Sequence, residues 1–105
     1  MGKYLILWHR NPAAPWPTNP SESIKVTERL WAGIDDLFNK GLMKEFGYFP
    51  NGTSGYAIGE ASSEIILSNA SMFSPFMELE VHKIIPYEKA KESIRALWKS
   101  MAEVK

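Results

Sequence analysis

Three polar side chains alternate with apolar ones in the segment FMELEVHKII, residues 76–85. On a β-strand Glu78, Glu80 and His82 would share one face, with positions two apart separated by about 7 Å. A histidine beside carboxylates can act as a general base or contribute to a weak metal site. On an exposed edge strand the same residues would be solvated groups that block unwanted pairing, which is their commoner use. The pattern makes His82 a candidate catalytic base and leaves both interpretations open.

Acid–base chemistry has two further candidates, Glu60 and Tyr48, in the aromatic and glycine-rich middle of the chain. Glu60 closes a predicted strand just before a helix, where a half-buried carboxyl group could exchange a proton with a ligand, although an exposed position is commoner. Strong metal-ligand spacing is absent near His82, so no metal and no cofactor are expected.

His9 and Arg10 end the first apolar segment, next to the proline-rich stretch NPAAPWPTNP of residues 11–20. Side chains where a strand meets a loop often contact ligands, and either residue could bind a small carboxylate. The alternative is ordinary surface polarity at a strand end. It is favoured because successive strand residues point to opposite faces, so only one of the two can point inward.

Four tryptophans are many for a chain of this length. Trp31 and Trp98 fall on apolar helix stripes and are expected in the core. Trp8 could line a pocket, and Trp16 could close it as a lid, because aromatic walls suit planar organic ligands. Packing of Trp16 against the prolines of its own loop is the simpler alternative.

The composition excludes several classes of function. The 105 residues suffice for one core, so residues 1–105 are treated as a single domain. Twelve basic residues balance twelve acidic ones, which removes the basic surface that nucleic acid requires. The absence of cysteine excludes a disulfide framework and a thiolate nucleophile. The apolar run Tyr4–Trp8 is too short for a membrane span or a secretory signal, and we expect a cytoplasmic protein with no nucleic-acid or membrane partner.

The periodicity of apolar residues predicts the elements that position these side chains. Alternation predicts β-strands, and a spacing near 3.6 predicts helices that begin at capping residues or proline. The predicted order is strand 3–10, helix 19–41, strands 42–49 and 56–61 joined by an Asn-Gly turn, a helix from Ser62 or Ser63 to Pro75, strand 76–85, and a final helix from Pro86. This order is the βαββαβ pattern of an α+β, ferredoxin-like fold with a four-stranded antiparallel sheet and an extra C-terminal helix.

Two helices would cover one face of that sheet and leave the other bare. The first strand carries Leu5 and Leu7 on one side and Ile6 and Trp8 on the other. The strand 42–49 also places aromatic residues on both of its sides. Exposed apolar area of this size usually marks an association surface. We therefore expect a homodimer in which two sheets pack face to face.

The segments YLILW (4–8), FGY (46–48) with GYAIGE (55–60), and LEV (79–81) leading to Pro86 resemble the dimeric α+β barrel superfamily. That superfamily includes muconolactone isomerase-like, antibiotic-biosynthesis-monooxygenase-like and small stand-alone members. The resemblance covers residues 3 to about 86, and it implies two sheets that enclose a barrel, often with a ligand cavity. Fold analogy alone does not select an activity.

The resulting expectation is a homodimeric barrel that binds a small organic molecule. If it is catalytic, a cofactor-free isomerase or monooxygenase would use His82, Glu60 or Tyr48 as acid or base. Trp8, Trp16, His9 and Arg10 would line the pocket. A non-catalytic metabolite-binding or stress-related module is one alternative, and a haem-binding protein with a histidine ligand is another.

Overall fold

The computed structural model describes residues 2–103, which form four strands and three helices in the predicted order. The elements are β1 (Gly2–Arg10), α1 (Pro20–Asn39), β2 (Met43–Tyr48), β3 (Ser54–Ala61), α2 (Ser63–Ser71), β4 (Met77–Ile84) and α3 (Tyr87–Glu103). The prediction of an α+β fold with a four-stranded antiparallel sheet is confirmed. None of the helices within residues 2–103 combines the length and the hydropathy needed to cross a bilayer.

Local signals in the sequence set both ends of α1. The side chain of Asn19 accepts a hydrogen bond from the backbone N–H of Glu22 at 2.8 Å, and Pro20 occupies the first helical position. Both features satisfy or remove donors that the first helical turn leaves unpaired. Gly41 follows with φ +74°, a conformation that favours glycine and ends the helix.

The strands lie in the order β2-β3-β1-β4, and each neighbouring pair is antiparallel. β1 and β2 therefore run parallel with β3 between them, and β3 and β4 run parallel with β1 between them. Helices α1 and α2 make the two crossovers, and the arrangement is compatible with a ferredoxin-like fold. β1 is one of the two central strands, so the residues at its C-terminal end lie near the middle of one end of the sheet and not on an outer strand.

Helices α1 and α2 cover the sheet face that carries Tyr4 and Trp8, both buried. The neighbouring positions on β3 hold only glycine and alanine, and these small residues leave room for the large rings of β1. The core on this face consists of two clusters of buried residues. The first comprises Tyr4, Ala61 and Ile66, and the second comprises Leu37, Met43 and Ala57.

The opposite face, which we call the open face, is not covered by a helix. Its apolar part is central and half-buried, and its rim is polar. Pairing in register assigns to it Lys3, Leu5, Leu7 and His9 of β1, Tyr56, Ile58 and Glu60 of β3, Glu78, Glu80, His82 and Ile84 of β4, and Glu45 of β2.

The expectation of apolar residues on both faces is confirmed for β1, and in the segment 42–49 it holds only through Phe49, which follows the end of β2 and stacks on Tyr56 of the open face. The register of β2 against β3 shifts between Met43 and Glu45, so Lys44 forms a β-bulge. The bulge turns Met43, Phe46 and Tyr48 to the helix-covered face together. Within β2 the open face is left with a glutamate and a glycine, so its apolar area comes from the other three strands and from Phe49.

The last helix, α3, does not pack against the rest of the described chain. It makes no substantial contact with any other described helix or strand. The described residues span 68 Å along the longest axis but only 27 and 24 Å along the others. The expected core positions of Trp31 and Trp98 are both wrong, since the two residues are 42% and 63% exposed. Trp31 lies at the edge of the α1 stripe, and Trp98 lies on a helix that packs against no other element of residues 2–103.

Candidate functional site

Aromatic rings gather at one end of the helix-covered face. The indole of Trp8 stacks on Phe46 with ring centres 5.4 Å apart, and it meets Tyr48 edge-on at 4.9 Å. Trp31, reaching down from α1, donates a hydrogen bond from Nε1 to the Tyr48 hydroxyl oxygen at 2.8 Å. Offset and edge-on contacts are the favoured geometries for aromatic rings. The result is a rigid wall with one hydroxyl proton that is free to be donated elsewhere.

The proline-rich loop adds Trp16 to this wall, and Asn11 holds the loop in place. The Asn11 side chain donates to the carbonyl of Pro75 at 2.8 Å and accepts from the backbone N–H of Ala13 at 3.0 Å. The backbone carbonyl of Asn11 accepts a hydrogen bond from Trp16 Nε1 at 2.6 Å. Trp16 also packs edge-on against Phe76. The indole is therefore fixed by the loop base, in contrast to a mobile lid.

A narrow cavity and a wider cleft adjoin this aromatic wall. The cavity, between α1, α2 and the sheet, is partly open and has a volume of about 80 Å³. The cleft has a volume of about 340 Å³ and is lined by residues that include Trp8, Arg10, Trp16, Trp31 and Tyr48. The two share several wall residues, Trp8 and Tyr48 among them. Small-molecule pockets begin at about 300 Å³, so the cleft, and not the cavity alone, has room for a ligand.

One polar atom in this wall has no partner. The Nε1 of Trp8 is buried and makes no hydrogen bond within residues 2–103, although the residue is only 4% exposed. Buried N–H donors are nearly always paired, and leaving one unpaired costs about 1–3 kcal/mol. The other two indoles of the cleft both donate hydrogen bonds. Trp8 is thus the one tryptophan of the cleft with an unused donor.

Arg10 supplies a positive charge at the mouth of the cleft. Its guanidinium lies 4.1 Å from the centre of the Trp16 ring, a cation–π contact that fixes its position. No carboxylate within residues 2–103 forms an ion pair with it. A guanidinium presents several N–H donors in one plane, which suits a ligand carboxylate.

The remaining predicted site residues lie on the other side of the sheet. His9 Nε2 is 2.6 Å from a carboxylate oxygen of Glu78, and His82 Nε2 is 3.4 Å from one of Glu80. Glu60 is half-buried beside Lys3, further along the same face. The sheet separates all of them from Tyr48, because successive strand residues point to opposite faces. Predicted residues therefore fall into two groups, with Trp8, Arg10, Trp16 and Tyr48 in the cleft and His9, Glu60 and His82 on the open face.

The open face also holds an interacting pair of titratable groups, Tyr56 and Glu45. Partial burial and the neighbouring Glu45 carboxylate raise the pKa of the Tyr56 hydroxyl above its ordinary value. Glu45 stabilises the protonated phenol by accepting its hydrogen bond and destabilises the phenolate by charge repulsion. The part of the chain that the structure describes holds no cluster of three histidine, aspartate or glutamate side chains with metal-binding geometry.

Sequence reasoning does not identify several residues that line the cleft, Trp31 and Thr27 among them. The apolar helix stripe predicts a core position for Trp31, and Thr27, one turn earlier, carries no signal. Trp31 and Phe38 are seven positions apart at one edge of that stripe, and both are about two-fifths exposed. Edge positions of an apolar stripe are where a helix meets a cleft, so this position could have indicated the role of Trp31.

Comparison with known proteins adds no relative. The chain matches no protein-family model, and no curated protein sequence is significantly similar to it.

Proposed function

We propose that this protein binds a small planar organic molecule that carries a carboxylate or another hydrogen-bond acceptor, in the cleft between α1, the proline-rich loop and the sheet. The observation that carries the proposal is the cleft itself, about 340 Å³ in volume, with aromatic walls and the guanidinium of Arg10 at its mouth. A flat ring would lie against these walls while its carboxylate paired with Arg10. An apolar ligand without an acceptor would leave the guanidinium unpaired.

The chemistry of the other walls supports the same class of ligand. Trp16, Trp31 and Tyr48 offer aromatic surfaces on which a flat ring can stack. Arg10 lies at the mouth with no ion-pair partner within residues 2–103, and it would bind a ligand carboxylate. Largely apolar walls with a few placed polar groups are typical of small-molecule sites.

Binding without turnover is the function that the geometry supports best. Catalysis as a cofactor-free isomerase or monooxygenase is a second candidate, and the bond from Trp31 to Tyr48 favours it. With its oxygen already accepting a hydrogen bond, Tyr48 can direct its own proton toward a bound molecule and act as a general acid. His82 and Glu60 would take no part in this reaction at the cleft.

The second part of the proposal is a homodimer of ferredoxin-like subunits that pack through their open faces. Two split βαβ units in one antiparallel sheet support the ferredoxin-like assignment. Leu5, Leu7 and Ile58 form an apolar centre that no helix covers. A second sheet packed on this centre would remove it from water, as in the dimeric α+β barrel superfamily that the sequence resembles.

A titration followed by NMR tests the ligand site directly. The protein is labelled with ¹⁵N, so that its four tryptophans give four indole N–H signals, and naphthalene-2-carboxylate is added as the probe. We expect the signals of Trp16 and Trp31 to shift, because these indoles line the cleft, and that of Trp98 to serve as the unaffected reference. Unchanged Trp16 and Trp31 signals at millimolar probe would contradict the proposal.

The matched variant is Arg10→Gln, which removes the guanidinium charge at the mouth of the cleft. We expect it to weaken binding of the carboxylate at least tenfold, the range that a hydrogen bond to a charged group contributes. Binding of unsubstituted naphthalene should change little. Mass spectrometry of the recovered probe distinguishes binding from turnover, and a Tyr48→Phe variant that bound normally but stopped product formation would favour the catalytic candidate.

A further inference from the structure

The C-terminal helix α3 exposes a continuous apolar stripe. Its members follow a spacing of three and four residues, which places them on one side of the helix. They are Tyr87, Ala90, Ile94, Leu97, Trp98 and Met101. The five large side chains are 54–72% exposed, and no residue of α3 is buried. Together they present several hundred square ångströms of apolar surface, which monomeric proteins rarely leave in water.

The shape of the subunit prevents its own core from covering this stripe. A helix of 17 residues is roughly 25 Å long, and the described chain is 68 Å long but less than 30 Å across. The radius of gyration, 18.3 Å, far exceeds the value of about 13 Å for a compact domain of this size. The helix therefore extends away from the sheet.

The helix begins where the open face ends. Ile84 is the last residue of β4 and belongs to the open face, and Ile85 and Pro86 lead directly into α3. A protein packed on the open face would thus lie beside the helix as well. The stripe alone falls short of the roughly 800 Å² that each partner contributes to a stable complex, so a stable complex would need the open face to contribute as well.

The charges of the two surfaces are complementary. The open face carries Glu45, Glu60, Glu78 and Glu80 against one lysine and two histidines. Helix α3 carries four cations against three acids, and Arg95 lies beside the stripe, three positions before Trp98. Opposite signs on two surfaces of the same chain favour a second copy of that chain as the occupant.

We infer that α3 is an arm that crosses to a second copy of this chain and packs its apolar stripe against it, with Arg95 toward the acidic rim of the open face. The inference rests on the proposed homodimer and specifies a part of its interface. In such a dimer each subunit would hold the other with its arm, as a two-fold symmetric interface requires.

Analytical ultracentrifugation of two matched variants tests the arm. Leu97→Glu places a charge in the stripe, and Ala96→Glu places the same charge on the opposite side of the helix. Both positions are exposed in the single subunit, so neither change should prevent folding, which circular dichroism and naphthalene-2-carboxylate binding would check. We expect a wild-type dimer, a dissociation constant raised at least tenfold by Leu97→Glu, and a change of less than twofold for Ala96→Glu.

The other outcomes separate the arm from the rest of the proposal. A dimer that both variants leave equally stable would overturn the arm and leave the open-face dimer standing. A wild-type protein that is monomeric at all concentrations would overturn both. Ligand binding in the cleft would survive either result, because no residue of α3 lines it.

Cross-linking shows which copy the helix contacts. The chain contains no cysteine, so Ser100→Cys creates a single attachment point for a benzophenone maleimide next to Leu97. Irradiation should give a product with the mass of two chains, whereas Ala96→Cys, on the opposite side, should give little. Cross-links confined within single chains would show that α3 folds back on its own subunit and would overturn the inference.

Discussion

The indole of Trp8 lies directly over the α-carbon of Gly55 on the neighbouring strand. A Cβ atom added at Gly55 would overlap with the indole and with the carbonyl oxygen of Gly47. Since Trp8 is held from the other side by Phe46, the ring has no room to retreat. We predict that Gly55→Ala destabilises the protein by about 1–3 kcal/mol, as overpacking of a core does. Urea denaturation would measure the loss.

The control is the same substitution on α1. A Cβ at Gly33 would be 3.8 Å from the nearest atom of Phe73, which is an ordinary contact distance. Alanine in a helix interior is favoured over glycine, so Gly33→Ala should stabilise the protein by roughly 0.5–1 kcal/mol. Equal effects of the two alanines would mean that Trp8 does not lie against Gly55 in solution.

The N-caps of α1 and α2 differ in hydrogen-bond length and should differ in their contribution to the free energy of unfolding. Asn19 accepts the N–H of Glu22 at 2.8 Å, whereas Ser62 accepts the N–H of Ile65 at 3.4 Å. Loss of a good cap costs about 1 kcal/mol, and a long hydrogen bond contributes less. Asn19→Ala should therefore lower the free energy of unfolding more than Ser62→Ala does, and thermal denaturation of the two variants would reveal a reversed order.

Local sequence patterns predict most of the fold because each pattern reflects interactions among neighbouring residues. The alternation in β4 and the cap at Asn19 depend on a few neighbouring residues. The bulge at Lys44 was missed because alternation assumes that no residue is inserted, and a shift of one residue exchanges the two faces. The packing of α3 was not predictable for a different reason. An apolar stripe such as that around Trp98 shows that a helix needs a partner, without showing where the partner lies.

The candidate site was predicted in part for the same reasons. Trp8 and Arg10 lie on one face of β1. The pairing register, with its bulge, places Tyr48 of β2 on the same face. His82 lies on the other face. The alternation in the sequence separates the two faces of β4, but only the pairing register shows which of them continues which face of β1. Convergence of residues from different strands depends on register, and register is a property of the whole sheet.

Arg10 gives the cleft its selectivity for charge in our proposal. We predict that Arg10→Gln weakens binding of naphthalene-2-carboxylate at least tenfold, because a hydrogen bond to a charged group contributes about 1.5–3 kcal/mol. Binding of the neutral methyl ester should change little. Isothermal titration calorimetry at low salt would measure both, and added salt should reduce the difference by screening the charge.

The matched control for that experiment is Arg29→Gln, which removes an exposed arginine of α1 that does not line the cleft. It changes the net charge by the same amount, so it separates a local contact from a general electrostatic effect. If both variants weakened carboxylate binding equally, the guanidinium of Arg10 would have no direct contact with the ligand.

The raised pKa of Tyr56 makes a prediction for alkaline pH. Partial burial and the Glu45 carboxylate favour the protonated phenol in the folded state, so the folded pKa exceeds the ordinary value of 10.0. The stabilisation from this group is complete below pH 10.0 and is lost as the pH rises through the folded pKa. Glu45→Gln should move the ionisation of Tyr56, followed by ultraviolet absorbance against a Tyr56→Phe reference, to lower pH. Glu60→Gln, on the same face but not a cause of the shift, should leave it unchanged, and the opposite pattern would remove Glu45 as the cause.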